Sequence, residues 1–306
     1  MREAREMKVI DSHVHLFQSA EAGRKAMRGM SQTGFWGTLN ELEQVIGESG
    51  ISYAATVATI PLKVMFEARI ERFEGKDEER LEFQEKVREE MVERLRRYNR
   101  WLCQQARENR TFLPFIAIDP FIGTDGMLSE IEECFNHHGA RGLKLHPMLG
   151  QYYPHASSLW PVYEKAQEMA IPLIFHGGRS PESPDVMYSH PAEFKPILDS
   201  FQRLKIVIAH IGMDFWDDSI SMSRNFPNCF FDTSGAISSN PVEEGLSDTR
   251  AREIIHEIGI NKVLFGSDFP WFNPKEDIER MENLGLKDHE LEMIFHKNAV
   301  RVFGLE

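Results

Sequence analysis

ARGLKLHPMLGQYYPHASSLWPVYEKAQEMAIPLIFHGG, residues 140–178, sets two short apolar runs on either side of a helical pattern. The runs, 140–147 and 171–178, are rich in Leu, Ile and Phe and bounded by Gly, Pro and His. They are too short for free-standing helices and read as buried strands. Between them LWPVYEKAQEMA at 159–170 places apolar residues three and four apart, the spacing of a helix with one covered face. A strand, a helix and a second strand of this kind make a parallel crossover unit, in which the sheet is covered by its own connections.

Outward from this unit the pattern repeats. Apolar runs at 9–17, 51–60, 111–120, 204–212, 228–235 and 262–270 complete a set of eight, with helical stretches such as TRAREIIHEIG at 249–259 between them. Eight strand-helix units in a chain of 306 residues predict one α/β domain, residues 1–306, folded as a closed (β/α)8 TIM barrel. An open doubly wound sheet is the competing topology, but no strand leads into the G-x-G-x-x-G turn of a dinucleotide site. One step breaks the rhythm. The second strand begins at 51 and the third at 111, a step of 60 residues, against 31 from 140 to 171 and 33 from 171 to 204. Residues 61–110 therefore read as an extended helical connection. Val87, Met91, Leu95, Tyr98 and Leu102 mark one face of a long helix whose other faces are densely charged.

Composition narrows the partners. Forty-eight acidic against 35 basic residues leave a formal charge of −13, which repels phosphate backbones and anionic lipid, so neither nucleic acid nor membrane is expected as a partner. The N-terminal MREAREMKVID lacks an apolar signal-like core, and no stretch approaches the roughly 20 apolar residues of a membrane span. A cytoplasmic location is expected, with a small-molecule substrate and a homo-oligomer left open. Cys103, Cys134 and Cys229 are odd in number and widely spaced, which suits buried, reduced thiols.

Polar residues that interrupt buried strands need a reason, because an unpaired buried donor or acceptor costs about 1 to 3 kcal/mol. In DSHVH, residues 11–15, the two-residue strand period puts Asp11, His13 and His15 on one face. His176 stands at the tip of the fifth strand, His210 at the tip of the sixth and Asp268 at the tip of the eighth, while Lys144 and His146 share a face of the fourth. Singly, each is as well explained by a hydrogen-bonded core histidine or a turn-forming aspartate. Together they converge on the C-terminal face of a parallel barrel, where barrel active sites form. Histidine nitrogens with one carboxylate oxygen suit a divalent metal, zinc first, with manganese or iron as alternatives.

The motifs DSHVHLF, GLKLHP, PLIFHGG, IAHIG, LFGSDFP and HKNAVRVFGL, in this order, resemble the amidohydrolase superfamily, and within it the amidohydrolase-related group that includes enzymes of the aminocarboxymuconate-semialdehyde decarboxylase type. The resemblance spans nearly all of residues 8–305 and is weakest across 61–110. It implies His13, His15, His176 and Asp268 as metal ligands and His210 beside the metal-bound water or substrate. Lys144 falls where the binuclear branch carries a carboxylated lysine bridging two metals. One metal is the expectation here, a second following only if Lys144 is carboxylated; otherwise its amine serves the substrate.

A metal with an open position lowers the pKa of bound water to about 7. Hydrolysis of an ester, lactone or amide of a small anionic substrate is thus the direct expectation, with His210 and Asp268 moving protons. The alternative is non-oxidative decarboxylation of an unsaturated or aromatic acid. His146, Arg179 and Trp271 are candidate substrate contacts, Arg179 through its planar fork, with Phe269 beside Trp271 on the pocket wall. The loops at 18–40, 61–77, 148–157 and 179–190 would shape substrate choice.

Overall fold

A computed structural model describes residues 7–180, 186–238 and 246–305. Its eight strands are β1 (Val9–Val14), β2 (Ile51–Val57), β3 (Phe112–Ala117), β4 (Gly142–Leu145), β5 (Leu173–Phe175), β6 (Ile206–Ile208), β7 (Cys229–Asp232) and β8 (Val263–Leu264). They pair in sequence order, each parallel to the next. All eight expected runs are strands, and the (β/α)8 barrel stands. The seam between β8 and β1 is held by the segment just beyond β8. Ser12 N–H donates to Phe265 O at 2.8 Å, Asp268 N–H to His13 O at 2.9 Å and His15 N–H to Phe269 O at 2.7 Å. Asp11, expected to face the same way as the two histidines, contributes to this seam instead: its Oδ1 accepts from Ser267 N–H and His13 N–H, both at 3.0 Å.

The strand period of two sorts the side chains into an inner and an outer layer. Ile10, Leu113, Phe115, Ile174, Val207, Phe230 and Leu264 form one buried cluster with Val302 and Phe303 of the last helix, Asn298–Phe303. The Phe303 ring meets Phe115 edge-on at 4.9 Å and plugs the barrel's lower end. Gly142 makes room for this layer, since a Cβ there would stand 2.0 Å from the Phe115 ring. The alternate residues, such as Leu143, Leu173, Phe175 and Ile206, join the outer core beneath the helices. An apolar plug below leaves the upper positions of the same inner rows, Lys144 and those beyond β4, β5 and β6, for polar side chains.

The insertion after β2 forms helices Leu62–Glu71 and Arg80–Glu108. The long one buries Val87, Met91, Leu95, Leu102 and Cys103, matching the expected stripe except at Tyr98. Tyr98 is half-buried and its hydroxyl donates to Leu16 O beyond β1. Asn99 lies inward in its place: its Oδ1 accepts from Ala117 N–H at 2.8 Å, and its Nδ2 donates to Ala117 O and to Glu130 Oε1, both at 3.0 Å. The insertion therefore braces the upper ends of β1 and β3. Cys103, Cys134 and Cys229 are free and buried. No helix among the described residues is long and apolar enough to cross a membrane.

Beyond β3, burial pushes the Asp119 carboxyl up to about 6, while the Phe121 N–H it accepts and the nearby Lys63 charge pull it down. The folded protein then holds a proton that the unfolded chain has lost between about pH 4 and pH 6. Stability from this group is full below pH 4 and falls by about 2 to 3 kcal/mol as pH rises through 6. Asp119→Asn keeps the acceptor for Phe121 and removes the ionisation. Urea unfolding of the variant is expected to show that much less loss between pH 4 and pH 7 than the parent; an unchanged pH dependence would contradict this.

Candidate metal centre

The site begins with a local conflict between sequence and strand geometry. Extended backbone is abandoned where the polar residues start: His210 (φ 59°), Ile211 (φ 49°) and Asp268 (φ 64°) all take the left-handed region. Such positions cost of order 1 to 3 kcal/mol each and persist only where their surroundings hold them. At His210 the hold is explicit, its N–H donating to the buried Asp232 Oδ1 at 3.0 Å. Gly177, after β5, lets this turn approach, because a Cβ there would lie 2.4 Å from Ile208 Cγ2 and 2.6 Å from Ala209 O.

Side-chain nitrogen and oxygen atoms of His13, His15 and Asp268 lie within 4.8 Å of one another. Both histidines turn Nε2 toward Asp268 Oδ1, at 3.6 Å from His13 and 3.2 Å from His15. Burial pushes the His13 imidazole well below its ordinary pKa and the Lys144 charge pushes the same way; burial also lowers His15, against the pull of Asp268. Neutral imidazoles are the form that ligates metals. Burial alone would raise Asp268, but the His15 hydrogen bond and the surrounding histidines outweigh it and hold the carboxyl below its usual range. Two neutral nitrogens and one carboxylate converging on one locus fit a divalent cation.

His176 is not in that trio. Its ring stacks on His146 with centroids 4.1 Å apart, and its Nδ1 lies 3.1 Å from His210 Nε2. The two rings are nevertheless aimed alike. His176 Nε2 donates to Arg179 O at 3.1 Å and His210 Nδ1 to Ser234 O at 2.9 Å, since a carbonyl can only accept. This leaves His176 Nδ1 and His210 Nε2 facing each other at 3.1 Å, a pair that shares either one hydrogen or an electrophile between them. Burial, reinforced by His146 and His210, keeps His176 neutral. Both nitrogens thus suit a cation or its bound ligand.

Lys144 is 2% exposed, with Nζ 3.1 Å from His13 Nε2. Burial lowers its pKa to about 8, opposed by Asp232 and Asp268. Trp271 meets His15 edge-on at 4.9 Å and Phe17 at 6.2 Å, forming a wall, while Phe269 is buried beneath against Phe35. His146 Nδ1 accepts from Leu149 N–H at 3.3 Å, capping the turn after β4. Arg179 points elsewhere: its Nε pairs with Asp214 at 2.9 Å, both half-exposed, and its guanidinium lies over Phe215. Of the loop at 179–190, residues 181–185 lie outside the described residues.

Sequence reasoning passed over Asp232 and Ser234, both fully buried. Asp232 Oδ2 lies 3.0 Å from His13 Nδ1, and Ser234 Oγ lies 3.2 Å from His13 Nδ1 and 3.0 Å from His210 Nδ1. The signal was present, an aspartate ending a strand in FFDTSG as another does in FGSDFP.

A parallel barrel with histidines and aspartates gathered at the upper ends of its strands defines a class of metal-site barrel. Within that class the amidohydrolase family profile matches residues 10–305, and the chain belongs to this family. No curated protein matches it. Solved structures are similar in fold over the full length. The 2,6-dihydroxybenzoate decarboxylase from Rhizobium is 16% identical, with a TM-score of 0.69 and 98% of each chain covered. The 5-carboxyvanillate decarboxylase from Sphingomonas paucimobilis is 18% identical, with a TM-score of 0.66, covering 98% of this chain and 100% of that one. A dihydroxybenzoic acid decarboxylase from Polaromonas, with bound manganese and 2-nitroresorcinol, is 16% identical, with a TM-score of 0.70, 98% of this chain and 97% of that one covered.

Proposed function

We propose that the protein is a divalent-metal-dependent carboxy-lyase that removes carbon dioxide from a hydroxylated aromatic acid, with manganese preferred over zinc. The observation that carries this reading is the full-length likeness to three decarboxylases of such acids, one of them holding manganese. It displaces hydrolysis, the direct expectation from the sequence, from first place. His13, His15 and Asp268 would hold the metal, with His176 turned in from β5. Once bound, it supplies a positive centre that fixes the substrate's carboxylate and neighbouring oxygen and draws charge from the ring.

The chain's own residues do the rest. Lys144 places an amine beside the same locus, where its charge attracts a carboxylate. Phe17 and Trp271 offer ring faces and edges to a planar substrate. When the carbon–carbon bond breaks, carbon dioxide leaves and the electron pair stays on the ring carbon, which takes a solvent-derived proton handed on by His210 Nε2. Hydrolysis is the second reading, favoured by His210 Nε2, an imidazole nitrogen turned to the site in the position of a general base.

A manganese-loaded preparation incubated in deuterium oxide with a panel of hydroxybenzoic acids, esters and lactones separates the two. Stoichiometric carbon dioxide and one deuterium on the vacated ring carbon are expected. Acid release carrying solvent oxygen, with no carbon dioxide, would overturn the lyase reading in favour of hydrolysis.

A further inference from the structure

We infer that Asp232, at the end of β7, is a positioning residue that decides which nitrogen of His13 offers its lone pair to the site. The inference rests on the metal reading above, because that lone pair matters only if a metal takes it.

The two oxygens of Asp232 have different work. Oδ1 receives three donors: His210 N–H at 3.0 Å, Ser234 N–H at 3.2 Å and the Ser234 hydroxyl. Two of these are backbone groups that can only donate, so an acceptor is required at that point. Oδ2 faces His13 Nδ1 at 3.0 Å. A carboxylate only accepts, so the hydrogen of the neutral ring is on Nδ1 and the lone pair is on Nε2. From the opposite side, the Lys144 amine at 3.1 Å donates to that Nε2. The same carboxylate therefore sets the tautomer of His13 and anchors the left-handed backbone of His210.

This division of labour predicts an inverted order of mutational damage. In Asp232→Asn the amide oxygen must stay at the Oδ1 point, because His210 N–H and Ser234 N–H have no other acceptor there. The amide NH2 then occupies the Oδ2 point and directs a hydrogen at His13 Nδ1. The ring answers by moving its own hydrogen to Nε2, where it blocks the lone pair aimed at Asp268. Asp232→Ala removes the acceptor at Nδ1 without placing a donor there, so only the weaker bias from Lys144 remains. A residue that merely filled space would behave the other way, the isosteric asparagine being the milder change.

Two measurements decide it: nitrogen-15 spectra of histidine-labelled, metal-free protein, and titration with manganese alone. The parent is expected to show the Nδ1–H tautomer at His13, the Asn variant the Nε2–H tautomer and the Ala variant both. Manganese affinity should fall about 100-fold in Asp232→Asn and about 10-fold in Asp232→Ala, the span of supporting-group losses at metal sites. A His13 tautomer unchanged in the Asn variant, or an affinity no lower than in the Ala variant, would overturn the inference. Should Asp232→Asn not fold, Asp232→Ala decides alone: an unmixed Nδ1–H tautomer with parental affinity overturns it. A parent protein that takes up no manganese would remove the metal reading instead, while an inverted tautomer in the metal-free variant would still support the role of Asp232.

Discussion

Asp268→Asn is expected to lower turnover by at least about a thousandfold and to strip most of the metal from the protein. Asp268 is the only carboxylate in the trio with His13 and His15, and its neighbours hold it ionised. An asparagine keeps the shape and tolerates the left-handed φ of 64° at this position, so the seam from Asp268 N–H to His13 O survives. What it removes is the negative charge that partly neutralises a bound dication. Losing the several kcal/mol that a positive centre contributes to a developing anion corresponds to a thousandfold or more. Elemental analysis beside a turnover assay checks both halves. Parental turnover with a full complement of metal would show that Asp268 is not a ligand.

The barrel was legible because parallel strands covered on both faces read as unbroken apolar runs, and Ile171–Gly178 is such a run even though only Leu173–Phe175 is formally strand. Beyond β8 the chain keeps bonding to β1 while bending at Asp268, and beyond β6 it turns at once into the short 3-10 segment Ala209–Gly212, with His210 and Ile211 left-handed. Those bends are where the site is. His13, His15 and Asp268 were legible because histidine and aspartate at an apolar strand's end have few other reasons to be there. Asp232 was passed over because it follows Phe230 and Phe231 and precedes Thr and Ser, a context that reads as an ordinary turn. Only the through-space contact to His13, 219 residues away in the chain, reveals its work. Arg179, three residues past His176, was singled out by adjacency alone; in the fold its side chain pairs with Asp214 and lies over Phe215.

His210→Asn should lower turnover by about 100-fold to 10,000-fold, the scale of losing a positioned proton donor or acceptor, while the metal stays bound. The asparagine accepts the left-handed backbone that Asp232 Oδ1 holds at this position, so the turn against Gly177 is kept. Its side chain is shorter and cannot carry a proton from the Nε2 position, 3.1 Å from His176 Nδ1, into the site. The metal content separates the two roles the geometry allows for this ring. Retained metal with slowed turnover makes His210 the proton carrier, and the His13, His15 and Asp268 locus sufficient to hold the ion. Metal lost in proportion to activity makes it a ligand in its own right, and the solvent proton must then be relayed by Asp268. Unchanged turnover would leave His210 with no part in the chemistry, and the approach of its Nε2 to His176 would be a consequence of the turn alone.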